Sequence, residues 1–220
     1  MIKALEIYKR LRGSFGAPDW WPGEPYEIMA GAVLVQNTAW GNVEKTIANF
    51  KGRLSPEYVE ALPLEKLRNL IRPSGFYNAK SICLKELTRW YKSYDYSVAE
   101  VRQTAQEKLR LELLAIKGVG EETADAILLY SFRFPAFVVD AYTKRLLVRL
   151  DAHAELSNAA IKNFFAGPLG GDVGSLADCH ALIVAHAKKY CRKTPLCAGC
   201  PLADACSCGS AGVDAVKTGG

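Results

Sequence analysis

Nothing in these 220 residues approaches the roughly 20 consecutive apolar side chains that cross a bilayer. The first segment, MIKALEIYKRLRG, has the spacing of an amphipathic helix and not the unbroken apolar centre of a signal peptide. No membrane partner is expected, and the chain is read as cytoplasmic, nucleoid-associated in a prokaryote, with reduced thiols. It has no internal repeat, which excludes solenoids and propellers. It also lacks a phosphate-binding P-loop and a serine nucleophile elbow. Histidine is scarce: His153, His180 and His186 have no ligand or triad spacing and are assigned no function. Nor is charge strongly of one sign. Lys and Arg number 28 against 23 Asp and Glu, and the net +5 is compatible with a polyanionic partner without requiring one. At 50% hydrophobic and 23% charged, the composition excludes a disordered chain, a collagen-like repeat and a disulfide miniprotein.

What is present is a helical period. Leu109, Leu113 and Ile116 recur at i, i+4, i+7, as do Ala124, Ile127, Leu128 and Ser131 nearby. Leu176, Cys179, Ile183, Ala187 and Tyr190 form a third stripe. Val138 and Val139 are β-branched, but nothing nearby offers a strand to pair with. The fold class is all-α. Breakers cut it into short helices at Pro22-Gly23-Glu24-Pro25, Leu62-Pro63, Arg72-Pro73-Ser74-Gly75, Gly118-Val119-Gly120, Phe134-Pro135 and the Gly167–Gly171 run. Residues 207–220, small and Gly-rich, are expected to be a flexible tail.

Of seven cysteines, Cys83 and Cys179 lie in apolar helical segments and read as core. The other five fall within eighteen residues, which in a reduced compartment points to a metal. Cys191, Cys197, Cys200 and Cys206 are separated by five, two and five residues, with Pro195 and Pro201 stiffening the loop. Four thiolates and no histidine suit zinc or a [4Fe–4S] cluster. A single CxxC, where zinc ribbons have two, favours the cluster. Cys208 is a spare.

In LLAIKGVGEETADAILLY two helical stretches flank Gly118, Val119 and Gly120. Glycines there allow a tight turn whose amides can hold a phosphate oxygen beside a helix N-terminus, reading backbone and not sequence. A plain helix–helix turn is the alternative. Twenty residues on, FPAFVVDAYTKRLLVRL delivers Asp140 to the head of an amphipathic helix. An N-cap accounts for such an aspartate, and a carboxylate in a cleft that stabilises a cationic sugar is compatible with it.

The hairpin, the Asp140 segment and the four cysteines, in that order and over residues 6–206, resemble the endonuclease III-like DNA glycosylases of the helix-hairpin-helix-GPD superfamily. The first cysteine gap is five where that family usually has six. The resemblance implies two helical lobes flanking a DNA-binding cleft: a six-helix lobe over 22–133 with the hairpin, and a second over 1–21 plus 134–206 with the iron–sulfur loop. It implies base excision repair on damaged double-stranded DNA by a monomer. Asp140 takes the place of the catalytic aspartate. Gln36, in VLVQNTAW, matches the side chain that fills the hole left by an extruded base. Phe76, in RPSGFYNAK, matches the wedge driven into the opposite strand. Lys188, Lys189, Arg192 and Lys193 would meet phosphates.

One departure decides between branches. Bifunctional members carry a lysine in GVGxKTA, and this chain has Glu122, which cannot form the Schiff base of strand cleavage. Glutamate in that slot, with Trp20 and Trp21 before Pro22 and Trp40 after QNT, is similar to the 3-methyladenine glycosylase branch. Some members of that branch lack the cluster. The three indoles would stack on a cationic alkylated purine. The expectation is a monofunctional glycosylase. A bifunctional endonuclease III acting on oxidised pyrimidines, with Lys117 or Lys144 as the amine, and a catalytically weak damage-binding module are the alternatives.

Overall fold

A computed structural model describes residues 2–151 and 157–209; His153 and residues 210–220 of the tail lie outside them. The described residues form helices and turns and no β-strand. In chain order the helices are α1 (Ala4–Phe15), α2 (Pro25–Leu34), α3 (Trp40–Asn49), α4 (Pro56–Ala61), α5 (Leu64–Ile71) and α6 (Tyr77–Lys92). They continue with α7 (Val98–Arg102), α8 (Gln106–Ala115), α9 (Glu121–Ala126), α10 (Ala141–Arg149), α11 (Asn158–Ala166) and α12 (Val173–Lys189). Among the described residues no helix is long and apolar enough to cross a membrane. The chain divides into two compact units, Trp21–Phe134 and Met1–Trp20 together with Pro135–Gly220.

The unit Trp21–Phe134 holds α2 to α9, eight helices where six are expected. The surplus is the short α4 and α7, each started by its own serine cap: Ser55 Oγ accepts from Tyr58 N and Ser97 Oγ from Glu100 N, both at 3.2 Å. Its centre is α2, which opens on Pro25, where a missing N–H costs nothing, and is buried from Ile28 to Leu34. It packs on α6 and α9, and α6 packs in turn on α4 and α5. Pro73 closes α5 and starts a 3₁₀ turn over Arg72–Ser74. Gly75 (φ +69°) then reverses the chain and leads through Phe76 into α6.

The α8–α9 hairpin is held by charge as well as by apolar packing. Arg110 Nε donates to Asp125 Oδ1 at 2.9 Å, and its Nη2 lies 3.4 Å from Glu121. Asp125 is only 2% exposed, so the Arg110 guanidinium offsets part of the cost of burying its carboxylate. Beyond α9 the chain makes a wide π turn, Ile127–Ser131, which shifts the phase of the residues after it.

In the other unit α12 is the axis, with α1 and α10 packed on it. Leu176, Cys179, Ile183 and Ala187 form its buried face, and the Arg12–Asp178 ion pair ties α1 to it. Before α10 the chain is extended and buried. Phe137 stacks on Phe165 at 4.3 Å, and Val138 and Val139 are 2% and 5% exposed. This anchored segment delivers Asp140.

Candidate functional site

Asp140 caps α10: Oδ1 accepts from Thr143 N at 2.7 Å. Oδ2 lies 3.6 Å from His180 Nε2, on α12. The residue is buried, only 7% exposed. Burial pushes this carboxyl up, but the His180 imidazole and the Thr143 N–H outweigh it and hold it below the ordinary carboxylate range. The outcome is a desolvated, oriented anion, the form suited to stabilising a cation that develops beside it.

The far end of α10 grips the cysteine loop. Arg145 Nε donates to Cys191 O at 2.8 Å, while Arg149 donates to Arg192 O (2.7 Å), Lys193 O (3.0 Å) and Cys191 Sγ (3.2 Å). His186 Nε2 faces Cys200 Sγ at 3.2 Å. Cys191, Cys197, Cys200, Cys206 and the spare Cys208 line one small cavity. Among the described residues no three His, Cys, Asp or Glu side chains are placed to hold a metal ion as they stand. The thiols thus share a cavity, with the Arg149 guanidinium donating to Cys191 and a His186 ring nitrogen beside Cys200.

In the Trp21–Phe134 unit, Gln36, Asn37, Phe76 and Gly118 line one solvent-open groove of about 960 Å³. Phe76 sits in left-handed backbone (φ +46°), and its ring is 68% exposed. A bulky residue in that conformation with its apolar face in water is costly on both counts. Gln36 Nε2 donates to Gly118 O and Thr123 Oγ1, both at 2.9 Å, joining this loop to the hairpin. Gly118 adopts φ +98°, a backbone that favours glycine, and a Cβ there would crowd Cys83 at 3.3 Å. Gly120 is the N-cap of α9, and Glu122 is exposed in its first turn.

Of the three tryptophans that the sequence groups together, Trp21 and Trp40 lie in this unit. Trp21 and Trp40 meet edge to face at 5.0 Å, and Tyr130, from the π turn, lies 5.9 Å from Trp21. Gly31 makes the seat: a Cβ there would lie 2.8 Å from the Trp21 ring. Trp20 belongs to the other unit, with the Lys188 ammonium 5.4 Å from its ring. Tyr130, His180 and His186 are the residues that sequence reasoning missed. No local pattern marks them, because each acquires its neighbour only through tertiary packing.

A family model described as HhH-GPD superfamily base excision DNA repair protein matches residues 30–167. The chain is 45% identical over 207 residues to MJ1434 of Methanocaldococcus jannaschii, assigned as a DNA repair glycosylase, covering 91% of this chain and 94% of that one. It superposes on the 3-methyladenine DNA glycosylase MagIII of H. pylori bound to 1,N6-ethenoadenine with a TM-score of 0.74 and 28% identity, over 86% and 98% of the two chains. A non-covalent endonuclease III–DNA complex gives a TM-score of 0.79 at 22% identity, over 97% and 100%.

Replacing the imidazole in His180→Leu removes one of the two influences that oppose burial, so the Asp140 carboxyl rises. The folded protein favours the ionised form, so this stabilisation is present above the unfolded carboxylate value of about 3.9 and lost as pH falls through the folded value. In His180→Leu the folded value rises, so less of this stability is there to be lost on acidification. A carbon-detected NMR titration of Asp140 checks this, and an unmoved carboxyl contradicts it.

Proposed function

The chain belongs to the HhH-GPD superfamily of base excision DNA repair proteins, and from that premise we propose that it is a monofunctional glycosylase releasing alkylated purines from damaged duplex DNA. The observation that carries this reading is the ionised, nearly buried carboxylate of Asp140 at the head of α10. As the N-glycosidic bond breaks, its electron pair leaves with the base and the sugar becomes an oxocarbenium-like cation. Asp140 stabilises that charge from a site where little water screens it. Water then adds at the sugar carbon, loses a proton and leaves an abasic site.

Each remaining element has a part suited to its chemistry. The exposed Phe76 ring is the wedge, and Gln36 fills the gap in the stack. The backbone of Gly118, Val119 and Gly120 takes a phosphate, and Lys188, Lys189, Arg192 and Lys193 add salt-sensitive contacts. Trp21 and Trp40, with Tyr130, offer π faces to a cationic purine ring. Similarity to MagIII at 28% identity supports that substrate class over oxidised pyrimidines. Glu122 stands in the lysine slot of the bifunctional branch, and a carboxylate forms no Schiff base. The second reading, a bifunctional enzyme, has one observation in its favour: Lys117 lines the groove with Gln36 and Phe76.

The cysteine loop fits a [4Fe–4S] cluster by its donors: Cys191, Cys197, Cys200 and Cys206 line one cavity, and Arg149 and His186 face two of the sulfurs. When bound, the cluster would cross-link the loop and so fix Arg192 and Lys193 for phosphate contact. No chemical step passes through it.

Asp140→Asn should fold and bind duplex DNA while single-turnover release of 3-methyladenine falls by about 10²- to 10³-fold; near-wild-type release removes Asp140 from the mechanism. Borohydride should trap no covalent complex on any duplex in a panel of alkylated purines, oxidised pyrimidines and uracil. A trapped adduct establishes the bifunctional reading instead. Purified protein should be brown with about four irons per chain. Stoichiometric zinc without iron overturns the cluster.

A further inference from the structure

Lysine is seldom fully buried, and a buried ammonium is retained only where it is well solvated by protein. Lys80, in the first turn of α6, is 3% exposed. Its Nζ donates to Leu34 O at 2.8 Å and to Ser74 O at 2.7 Å. Leu34 is the last residue of α2, two positions before Gln36. Ser74 ends the 3₁₀ turn, two positions before Phe76. Both carbonyls are terminal groups that a helix leaves without an internal partner. The lysine also lines the groove shared by Gln36, Asn37, Phe76 and Gly118.

We propose that Lys80 is a positioning residue, a single ammonium that clamps the loop carrying Gln36 to the turn carrying Phe76. The inference rests on the glycosylase reading above. The two segments have no regular structure of their own to set their spacing. Asn37 (φ +53°) and Phe76 (φ +46°) sit in left-handed backbone, where a chain without external restraint would relax. Lys80 supplies that restraint from below, on the rigid helix that Phe76 itself begins. Burial lowers its pKa to about 8, a cost that an apolar side chain would avoid. The charge is retained because a methylene stem of this length with a hydrogen-bonding head reaches both carbonyls at once.

The test is a mutant cycle of Lys80→Met, the pair Gln36→Ala with Phe76→Ala, and all three together. Its readouts are single-turnover base release and the fluorescence of 2-aminopurine placed opposite the lesion, which reports unstacking. Lys80→Met should retain duplex affinity, lose the unstacking signal and slow release by about 10²-fold, the cost of a small misplacement. Added to the double variant it should cost nothing further, because it acts through those two side chains. Full unstacking in Lys80→Met, or losses that multiply in the triple variant, overturn the inference. If Lys80→Met does not fold, Lys80→Gln, whose amide can reach one carbonyl, enters the same cycle with the same criteria. A wild-type protein that releases no base from the panel overturns the glycosylase reading itself, and so is distinguishable from failure of the clamp.

Discussion

Asp140 uses its two oxygens differently: one accepts the Thr143 N–H and starts α10, and the other faces the His180 imidazole across from α12. The cap fixes the orientation of the carboxylate, and the imidazole offsets the burial that would otherwise favour the neutral acid. Because the same group begins the helix, moving it disturbs α10. At the other end of α10, Arg145 and Arg149 hold the cysteine loop. One short helix therefore links the Asp140 carboxylate to the loop that carries Arg192 and Lys193. Stacking of Phe137 on Phe165 anchors the chain just ahead of it.

In the other unit the same economy operates on the backbone. Polar bridges join segments that local structure leaves irregular: Gln36 to Gly118 and Thr123, Lys80 to Leu34 and Ser74. These hold an exposed phenylalanine in a left-handed conformation at the rim of a groove. Such an arrangement weakens the free protein locally. On the proposed function the ring gains an apolar neighbour in an unstacked base step of DNA.

Much of this was legible in the sequence because it is local. Helical periods mark α8 and α12, Pro25 opens α2, Pro63 separates α4 from α5, and Pro73-Gly75 sets the turn before Phe76. The hairpin glycines and the clustered cysteines declare themselves by spacing alone. What was not legible depends on partners far along the chain. His180 lies 40 residues from Asp140, and nothing in its own helix distinguishes it from a packed histidine. Tyr130 reaches Trp21 through a π turn that no residue pattern announces. Trp20 and Trp21 are adjacent in sequence yet belong to different units, because the boundary falls between them. Lys80 reads as an ordinary cation on an amphipathic helix until its two carbonyl acceptors are located.

The central claim is electrostatic: a fixed anion stabilises a positive sugar. Its most direct measurement is the affinity for a duplex carrying a cationic pyrrolidine in place of the lesion nucleotide, compared with the neutral tetrahydrofuran analogue, for the wild-type protein and Asp140→Asn. The account predicts tighter binding of the cation by the wild-type protein and loss of that preference in the variant. An equal preference for the cation in both proteins would contradict it.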